Sequence, residues 1–492
     1  MTADVIPAAV PADGPADDRV TLLGRSIEYK WLVAIVLVSA LFLDILDTTI
    51  VNVALPTLGR TFGAASTEWV VIGYTLSLAV FIPAAGWVSD RFGTKRVFLF
   101  AFGMFITSSA LCGAAQSIEQ LVAFRVLQGV GGGMLTPVGL AMLFRAFPPS
   151  ERARASTAMM IPTMLAPALG PVIGGFLITH AGWRWIFYIN VPVGLTAFVV
   201  GFRKLREFRE PTAGPFDIAG FVLSGAGVAS LVYALSAGPS KGWRSAQVLG
   251  FGIASVVLLV AMAIIETHKR HPMLMLSLLR DRMFRNTNLV SIFTIASFFG
   301  VLFVLPQYLQ TLRGLSAQSS GLTTFPQAIG IAASSLVAGR LYKRIGPRRL
   351  IAGGLLLGSI ANFMFHFLTV GTDLWLVRGL MLTRGLCMGF AFVPMQASSY
   401  ATITPADNGR AASVFSTQRQ VSVSLAVAVM ATILTTYGAF GSRGVIADPA
   451  RALHGMHISF VVAAALALTG SFVALLIRDS DAAAVMGRGP AH

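Results

Sequence analysis

Long apolar runs follow one another along almost the whole chain, from residue 31 to residue 478. A transmembrane helix needs about 20 predominantly apolar residues to cross a bilayer, and these runs have about that length. Only 12% of the 492 residues are charged, which is about half the share in soluble domains. The pattern predicts an all-α membrane protein with fourteen spans, numbered in chain order: 31–56, 69–89, 97–115, 120–144, 155–179, 184–202, 217–237, 246–266, 288–311, 319–341, 349–370, 374–398, 411–437 and 456–478.

Basic residues are concentrated in alternate connections between the spans. The net charge of +16 could point to nucleic acid, but the basic residues lie in short loops and not along one helix face. A positive-inside bias explains them better, and it places the connections after spans 2, 4, 6, 8 and 10 in the cytoplasm. With an even number of spans both termini are then cytoplasmic. We predict a multi-pass protein of the cytoplasmic (inner) membrane that does not bind nucleic acid.

Other features exclude several classes of function. Residues 1–29 contain four Asp and no apolar run, so they predict a disordered cytoplasmic tail and not a secretory signal. Cys112 and Cys387 lie in apolar runs and are predicted to be packing residues. His268 and His271 are spaced like metal ligands, but no Cys or carboxylate cluster accompanies them, so we predict no metal site. No Gly-Lys-Ser/Thr phosphate motif is present, so we predict no cofactor and a proton gradient as the energy source.

A repeated pattern divides the chain into related parts. Three pairs of similar segments occur at offsets between 250 and 256 residues: 86–96 with 339–349, Leu55-Pro56 with Leu305-Pro306, and 149–154 with 405–410. Chance similarity of loops that contain Gly and Arg is the alternative. The shared offset predicts two repeated bundles, an architecture typical of secondary transporters. The predicted division is a tail at 1–29, an N-terminal six-helix bundle at 30–203, a linker with two extra spans at 204–287, a C-terminal six-helix bundle at 288–478 and a cytoplasmic tail at 479–492.

Span 1 places two carboxylates inside the membrane. Asp44 and Asp47 are three residues apart, so they share one helix face. Ionisable side chains at this depth are costly unless they are paired or hydrated. Two like charges in a low-dielectric site do not both ionise readily, so we expect the pair to hold at least one proton near neutral pH, as a proton-coupling group must. The alternative is that either residue caps a break in the helix or only hydrogen-bonds a neighbouring helix.

Further polar side chains lie inside other spans. Arg125 has a depth similar to that of Asp47, which allows an ion pair or a water-bridged pair. A snorkelling arginine at the interface is the alternative. The glycines of 129–133 are predicted to permit close helix packing and not to bind a phosphate. Side chains that could line a substrate cavity, or only bond between helices, are Gln128, Gln307, Tyr308, Gln310, Gln327, Asn362, Gln418 and Arg419.

Five segments together resemble the major facilitator superfamily, and within it the fourteen-helix drug:proton antiporters (DHA2-type multidrug efflux). The segments are 46–56 in span 1, 86–96 after span 2, 125–129 in span 4, 170–175 in span 5 and 183–192 at the start of span 6. Thr94 stands where that family usually has a basic residue, and Ala166 replaces the first Gly of the span 5 motif. The resemblance implies the major facilitator fold, with two pseudo-repeated six-helix bundles and two inserted helices.

The resemblance also implies roles for individual residues. Asp47 would be the principal proton-coupling residue, with Asp44 modifying it or meeting a cationic substrate, and Arg125 tuning its affinity for protons. Asp90 would stabilise the outward-facing state by pairing with Arg91 and with the positive end of a helix of the second half, expected to be span 13. The implied conformational-lock motif is Gly86, Asp90, Arg91, Gly93, Lys95 and Arg96. The implied helix-packing motif of antiporters is Gly170, Pro171, Gly174 and Gly175.

These features together predict a proton-coupled antiporter that exports amphipathic organic compounds, such as antibiotics, and that is not an enzyme. Its predicted partners are small amphipathic substrates, protons and the lipid bilayer, and the resemblance implies a monomer. Some relatives carry carboxylates in spans 10 or 13, and their absence here argues against a preference for dications. A transporter of the same fold that exports or imports a lipid or a specific metabolite is the first alternative. A polytopic membrane enzyme or scaffold is the remote one, because it would need a catalytic cluster or a soluble domain.

Overall fold

The computed structural model describes residues 19–22, 25–63, 67–209, 215–269, 272–439 and 448–482. An antiparallel hairpin of β1 (Arg19–Leu22) and β2 (Arg25–Glu28) precedes the first helix and pairs Val20 with Ile27. Both side chains pack on the hydrophobic core. Residues 19–22 and 25–28 therefore do not belong to the predicted disordered tail, because they pair as strands and bury apolar side chains. Residues 1–18 of that tail lie outside the described residues.

Helices make up most of the described chain. Their bounds are α1 Tyr29–Phe62, α2 Glu68–Phe81, α3 Ala85–Phe92, α4 Thr94–Ala114, α5 Ile118–Ala146, α6 Arg152–His180, α7 Trp185–Tyr188, α8 Asn190–Lys204, α9 Ile218–Lys241, α10 Ala246–His268, α11 Arg282–Gln307, α12 Ala317–Thr324, α13 Pro326–Ile345, α14 Pro347–Met364, α15 Leu374–Ser399, α16 Asn408–Thr436 and α17 Pro449–Ala474. Among the described residues, 12 helices are long and apolar enough to cross a membrane, or up to 14 if two bent pairs each count as one span. The predicted all-α membrane fold is confirmed.

Prolines lie where the long helices bend. α2 and α3 meet at an angle of 56°, and Pro83 lies between them. Proline lacks the backbone N–H that a helix interior needs and clashes with the preceding turn. α6 bends by 43°, and the prolines inside it are Pro162, Pro167 and Pro171. Each bend therefore coincides with a proline, which removes a backbone hydrogen bond of the helix.

The two halves of the chain contact each other in a way that follows the repeat. We call the helix ends that the basic loops assign to the cytoplasm the inner ends. There, a Cβ atom at Gly86 of α3 would lie 2.7 Å from the Gly409 carbonyl oxygen of α16, and one at Gly339 of α13 would lie 3.0 Å from Thr157 Oγ1 of α6. Gly339 follows Gly86 by 253 residues, and Ser413, which also contacts Gly86, follows Thr157 by 256. The division into two bundles stays a prediction, and this pseudo-symmetric packing agrees with it.

Aromatic rings also join the halves at the inner end. The ring of Phe144 in α5 stacks on that of Tyr400, just after α15, with centroids 4.4 Å apart. Phe415 of α16 lies against the same tyrosine, 6.3 Å between centroids. Arg152 at the start of α6 donates a hydrogen bond to the Tyr400 carbonyl oxygen. The inner ends of the two halves are therefore in contact.

Of the two helices of the predicted linker, α9 packs against both halves and α10 packs against α9. Val228 and Val232 of α9 form a cluster with Ala79 of α2, and Val421 of α16 packs against it. The surface of α10 that faces away from α9 is apolar and exposed, as expected for a helix that faces lipid. Its exposed side chains on α10 include Ile253, Val256, Val260 and Ile264.

An acidic residue fixes the start of α9. Asp217 accepts a hydrogen bond of 2.8 Å from the Gly220 N–H and forms an ion pair with Lys269, beyond the end of α10. Burial opposes the ionisation of Asp217, but its contacts with Lys269, with the Gly220 N–H and with Glu266 outweigh burial and hold the pKa of its carboxyl group below its usual range. The contact therefore ties the inner ends of the two inserted helices together.

The start of the predicted C-terminal tail is held on the C-terminal half. Residues Asp479–Ala482 form a short 3-10 turn. Asp481 pairs with Arg282 of α11 over 2.7 Å, and Asp479 accepts a 3.0 Å hydrogen bond from the Arg348 N–H at the start of α14. Asp481 thus compensates the charge of an arginine at the start of α11, and Asp479 accepts from a backbone N–H that has no partner inside α14. Residues 483–492 lie outside the described residues.

Candidate functional site

Two carboxylates lie in the middle of α1. This helix is continuous for 34 residues, and at a rise of about 1.5 Å per residue it places both acids far from its ends. Asp44 and Asp47 are buried, with exposed fractions of 8% and 0%. They lie on one helix face, as their spacing predicts, but each has its own partners.

Asp47 is surrounded by donors from two other helices. Arg125 of α5 forms an ion pair with Asp47 Oδ2, while Gln128 Nε2 and Asn190 Nδ2 each donate to Oδ1 over 3.1 Å. Arg125 also donates from Nε to the Val70 carbonyl oxygen (3.1 Å) and from Nη1 to Gln128 Oε1 (2.8 Å). A buried ion pair is tolerated when its remaining donors and acceptors are also hydrogen-bonded, and this pair meets that condition.

The structure decides between the two alternatives for the arginine. Arg125 is only 1% exposed, so the ion pair is present and the snorkelling side chain is wrong. Gln128, a predicted cavity residue, is buried within the Asp47 cluster. Asn190 is missing from the predicted site. The signal that could have identified it is its place in the segment 183–192, which resembles the family's entry into span 6.

Asp44 has a different partner. The Tyr74 hydroxyl of α2 donates a hydrogen bond to Asp44 Oδ1, and the Tyr74 ring lies 4.1 Å from the Arg125 guanidinium carbon. Tyr74 therefore connects the two acidic sites. A Cβ atom at Gly132 would lie 2.9 Å from Asp44 Oδ1, so this glycine makes room for the carboxylate. Tyr74 is also missing from the predicted site, because a tyrosine in an apolar helix carries no local mark of its role.

The loop motif that follows α2 contacts the start of α16. The Gly86 N–H donates to Ser413 Oγ over 2.7 Å. Asp90 is buried, and its Oδ2 atom lies 3.6 Å from Arg410 Nε in the first turn of α16. The start of α16, which corresponds to span 13, is therefore the positive helix end that Asp90 is expected to face. Arg91 is exposed, and the described ion pair of Asp90 is with Arg410.

The rest of this motif positions the turn into α4. Gly93 has a φ of 101°, which favours glycine. The backbone N–H groups of Lys95 and Arg96 donate to the Glu207 carboxylate over 3.0 and 3.2 Å. Glu207 thus occupies the positive end of α4. The Arg96 side chain is exposed at the inner surface.

The predicted helix-packing motif lies along α6, next to α1. A Cβ atom at Gly170 would collide with the Thr49 side chain, and one at Gly174 would lie 2.8 Å from Ile50 Cγ1. Both glycines therefore allow α6 to approach α1 close to Asp47. Gly175 has nothing within 4 Å of its Cβ position, so the predicted packing role is wrong for this residue. Consecutive residues point about 100° apart, and Gly174 and Gly175 cannot both face α1. Pro171 lies inside the same helix.

Several predicted cavity residues have other positions. Tyr308 is fully buried and its hydroxyl donates to a backbone carbonyl over 2.7 Å. Gln307, the last residue of α11, is half-buried, and Gln310, in the turn that follows α11, is exposed. Gln418 of α16 accepts a 2.7 Å hydrogen bond from Ser291 of α11. Tyr308 and Gln418 therefore form hydrogen bonds between segments, which is the alternative to lining a cavity.

Arg384 of α15 is a buried cation that the sequence prediction misses. It is 0% exposed. It donates to Gln327 Oε1, to Asn362 Oδ1 (2.8 Å) and to the Phe298 carbonyl oxygen (2.9 Å). Gln327 and Asn362, both predicted to line a cavity, hold this arginine. The repeat could have identified it, because Arg384 follows Arg125 by 259 residues, close to the offset of the other pairs.

Arg419 of α16 is the remaining predicted cavity residue. It is half-buried and lies eleven residues into α16. A separate cavity of about 550 Å³ opens on the side of the N-terminal half. Its lining is apolar and includes Phe81, Phe100 and Phe221, but none of the predicted cavity residues. In the described ranges, no group of three His, Cys, Asp or Glu side chains is placed to hold a metal ion.

Comparison with known proteins places this architecture among described families. The family model of the Major Facilitator Superfamily matches residues 37–427 and again residues 287–485. The chain is 32% identical over 452 residues to "Multidrug resistance protein B homolog" of Mycobacterium tuberculosis, which covers 88% of this chain and 84% of the relative. It is 30% identical over 472 residues to "Putative multidrug resistance protein MdtD" of Salmonella heidelberg, and this match covers 93% of this chain and 96% of the relative. The crystal structure of the human organic anion transporter MFSD10 (TETRAN) aligns with a TM-score of 0.65 at 17% identity, covers 90% of this chain and 99% of that chain, and shows the fold alone.

The fold and the family match define a multi-pass membrane transporter and not an enzyme. The chain belongs to the major facilitator superfamily. The predicted fold class is therefore confirmed. The predicted resemblance is confirmed as well, including its drug-efflux branch, because both relatives carry multidrug-resistance names.

Proposed function

We propose that this chain is a proton-coupled antiporter that exports amphipathic organic compounds, antibiotics among them, in exchange for external protons. It works as a monomer in the cytoplasmic membrane, with both termini in the cytoplasm and no cofactor. The observation that carries the proposal is Asp47, a fully buried carboxylate in the middle of a span that is compensated by Arg125. Ionisable residues at this depth mark ion and proton pathways. The multidrug names of the two relatives support the substrate class.

Protonation of Asp47 would change the force between α1 and α5. A proton on Asp47 removes the negative charge that compensates Arg125, and the ion pair then weakens. Arg125 keeps its hydrogen bonds to Gln128 and to the Val70 carbonyl oxygen, so it stays in place on α5. The two protonation states of one carboxylate therefore favour two arrangements of α1 relative to α5, which is the requirement for coupling.

The contacts at the inner end supply the second part of the cycle. In the described arrangement, Phe144 stacks on Tyr400 and Asp90 lies near Arg410, so the halves are held together there. We assign this arrangement to the state closed toward the cytoplasm. Proton uptake from outside would then favour separation of these contacts, and substrate would enter from the cytoplasm. Substrate binding promotes release of the proton on the inner side.

The energy available per proton sets the gradient that such a cycle sustains. One elementary charge moving through 100 mV supplies about 2.3 kcal/mol. At about 1.4 kcal/mol per tenfold change in concentration ratio, this supports a substrate gradient of roughly fortyfold. A pH gradient adds to this value. One coupling carboxylate is therefore sufficient for drug export of useful size.

The direct test is substrate-induced proton movement in everted membrane vesicles. Respiration acidifies the vesicle lumen, a pH-sensitive dye records it, and a drug is added to the exposed cytoplasmic face. We expect the wild type to lose part of the pH gradient upon drug addition, and Asp47→Asn at equal expression to show no response. Asp373→Asn is the matched control, because Asp373 caps α15 away from the cluster and should leave the response intact. A response of native size in Asp47→Asn would refute the proposal.

A further inference from the structure

The charges in the middle of the helices do not balance. In the described helices, five Asp, Glu, Lys or Arg residues lie more than six positions from either helix end: Asp44, Asp47, Arg125, Arg384 and Arg419. Three are cations and two are acids, which leaves one positive charge even when both acids are ionised. Uncompensated charge in a low-dielectric region is costly. The interior is therefore better matched to a negative ligand than to a positive one.

Two of the three cations have fixed partners. Arg125 is compensated by Asp47. The recorded acceptors of Arg384 are neutral amide and carbonyl oxygens, those of Gln327, Asn362 and Phe298 among them, so its side chain is held but its charge remains. Arg384 thus adds a permanent positive potential to the C-terminal half. Such a potential raises the cost of placing a cation nearby and lowers that of an anion.

Arg419 is the third cation, and its guanidinium has no hydrogen-bond partner among the described residues. The residue is half-buried. It lies one turn after Phe415, so both project from the same face of α16. Phe415 contacts Tyr400, the residue whose ring stacks on Phe144 of the other half. The guanidinium is therefore placed just outward of the contact that closes the inner end, where the two halves meet.

Asp44 is not a contact partner of Arg419. Its carboxylate lies on α1 of the N-terminal half and accepts a hydrogen bond from the Tyr74 hydroxyl of α2. Among the described residues, no ion pair or hydrogen bond joins Asp44 to Arg419. The guanidinium of Arg419 is therefore not held by either of the two buried acids.

We propose that Arg419 binds the negatively charged head group of the transported compound. This inference rests on the proposed function and names its substrate class: amphipathic organic anions that carry a carboxylate or a sulfonate beside an apolar body. The planar guanidinium offers paired donors to such a group, and Arg forms stronger contacts with it than a neutral donor does. The proton site, Asp47 with Arg125, and the anion site at Arg419 use different cations. Proton and anion therefore do not compete for one partner.

The proposal has an electrical consequence. Exchange of one proton for a monovalent cation moves no net charge, whereas exchange of one proton for a monovalent anion moves two charges in the same direction. An inside-negative potential therefore drives both the entry of the proton and the exit of the anion. The sensitivity of transport to the membrane potential thus reports the charge of the substrate, independently of its affinity.

The test compares two xanthene dyes of similar size, the anion sulforhodamine B and the cation rhodamine 6G. Binding to the purified full chain in detergent is measured by fluorescence anisotropy, without any gradient. We expect sulforhodamine B to bind more tightly than rhodamine 6G, and Arg419→Gln to weaken it by about tenfold or more, the value of a charge-assisted hydrogen bond. Arg419→Lys, which keeps the charge, should recover part of the loss. Arg378→Gln, a half-buried arginine of α15 that lies on the Trp375 ring, is the matched control and should change nothing.

Transport in proteoliposomes then separates the two proposals. With a pH gradient and an imposed potassium diffusion potential, we expect sulforhodamine B transport to accelerate with the potential. Binding of sulforhodamine B that depends on Arg419 but gives no proton-coupled transport would overturn the antiport proposal and leave the anion site standing. Tighter binding of rhodamine 6G, electroneutral exchange, or unchanged sulforhodamine B binding in Arg419→Gln would overturn the anion site.

Discussion

Removing either member of the pair formed by Asp47 and Arg125 should cost unequal amounts of stability. Asp47→Asn leaves a buried guanidinium that cannot lose its charge, and breaking a buried pair in this way costs about 3–5 kcal/mol. We expect about 3 kcal/mol, because Arg125 keeps the Val70 carbonyl oxygen, Gln128 Oε1 and the Tyr74 ring as neighbours.

The reverse substitution should be milder. In Arg125→Gln, Asp47 can become neutral by taking up a proton, and it keeps the hydrogen bonds from Gln128 and Asn190. We expect a loss of about 1–2 kcal/mol, the cost of an impaired buried hydrogen-bonding group. The double variant removes both charges, so its loss should be smaller than the sum of the single losses by about 1–3 kcal/mol.

The assay can use the cysteines of the protein itself. Cys112 and Cys387 are both buried and free, so a thiol-reactive fluorophore labels them only when the protein unfolds. Cys112 Sγ lies 3.7 Å from Gln128 Oε1, next to the cluster, and a Cys387→Ser background makes it the reporter. Unfolding is followed in detergent against denaturant, with Arg378→Gln as the control arginine substitution. Equal losses in the two single variants, or a double variant equal to their sum, would refute the reasoning.

Four further substitutions test other parts of the structure. Gly174→Ala should destabilise by about 1–3 kcal/mol through overpacking, whereas Gly175→Ala, with open space at its Cβ, should be neutral or stabilising in the same unfolding assay; equal effects would contradict the assigned faces. Asp90→Asn should slow turnover several-fold with substrate affinity unchanged, since it removes the charge facing Arg410; native turnover at equal expression would argue against the lock. Asp217→Ala should cost about 1 kcal/mol near neutral pH through the lost helix cap, and the difference from wild type should shrink as the pH falls through the lowered pKa of Asp217 and protonates it; a difference that stays constant as the pH is lowered would contradict this.

The site shows what a local pattern can and cannot predict. Asp44 and Asp47 are identified by the sequence because a carboxylate in an apolar run is costly wherever the helix packs. Tyr74 and Asn190 are not identified by the sequence, because uncharged polar side chains occur in such helices for many reasons. Their role appears only when α2 and α8 are placed against α1, with hydrogen bonds to acids more than 25 positions away in the chain.

By itself, the sequence determined the class of structure: the length of the apolar runs requires membrane-spanning helices, since only a helix satisfies its own backbone in lipid. Its repeat predicted which segments would correspond, and the paired glycine contacts at Gly86 and Gly339 agree with it. Only the tertiary structure decided how the buried charges are paired. Helix rotation and crossing set whether a side chain meets an acid, an amide or open space, and these depend on contacts between distant segments. That is why Arg125 has a carboxylate as its partner, Arg384 has neutral oxygens, and Arg419 has no hydrogen-bond acceptor among the described residues.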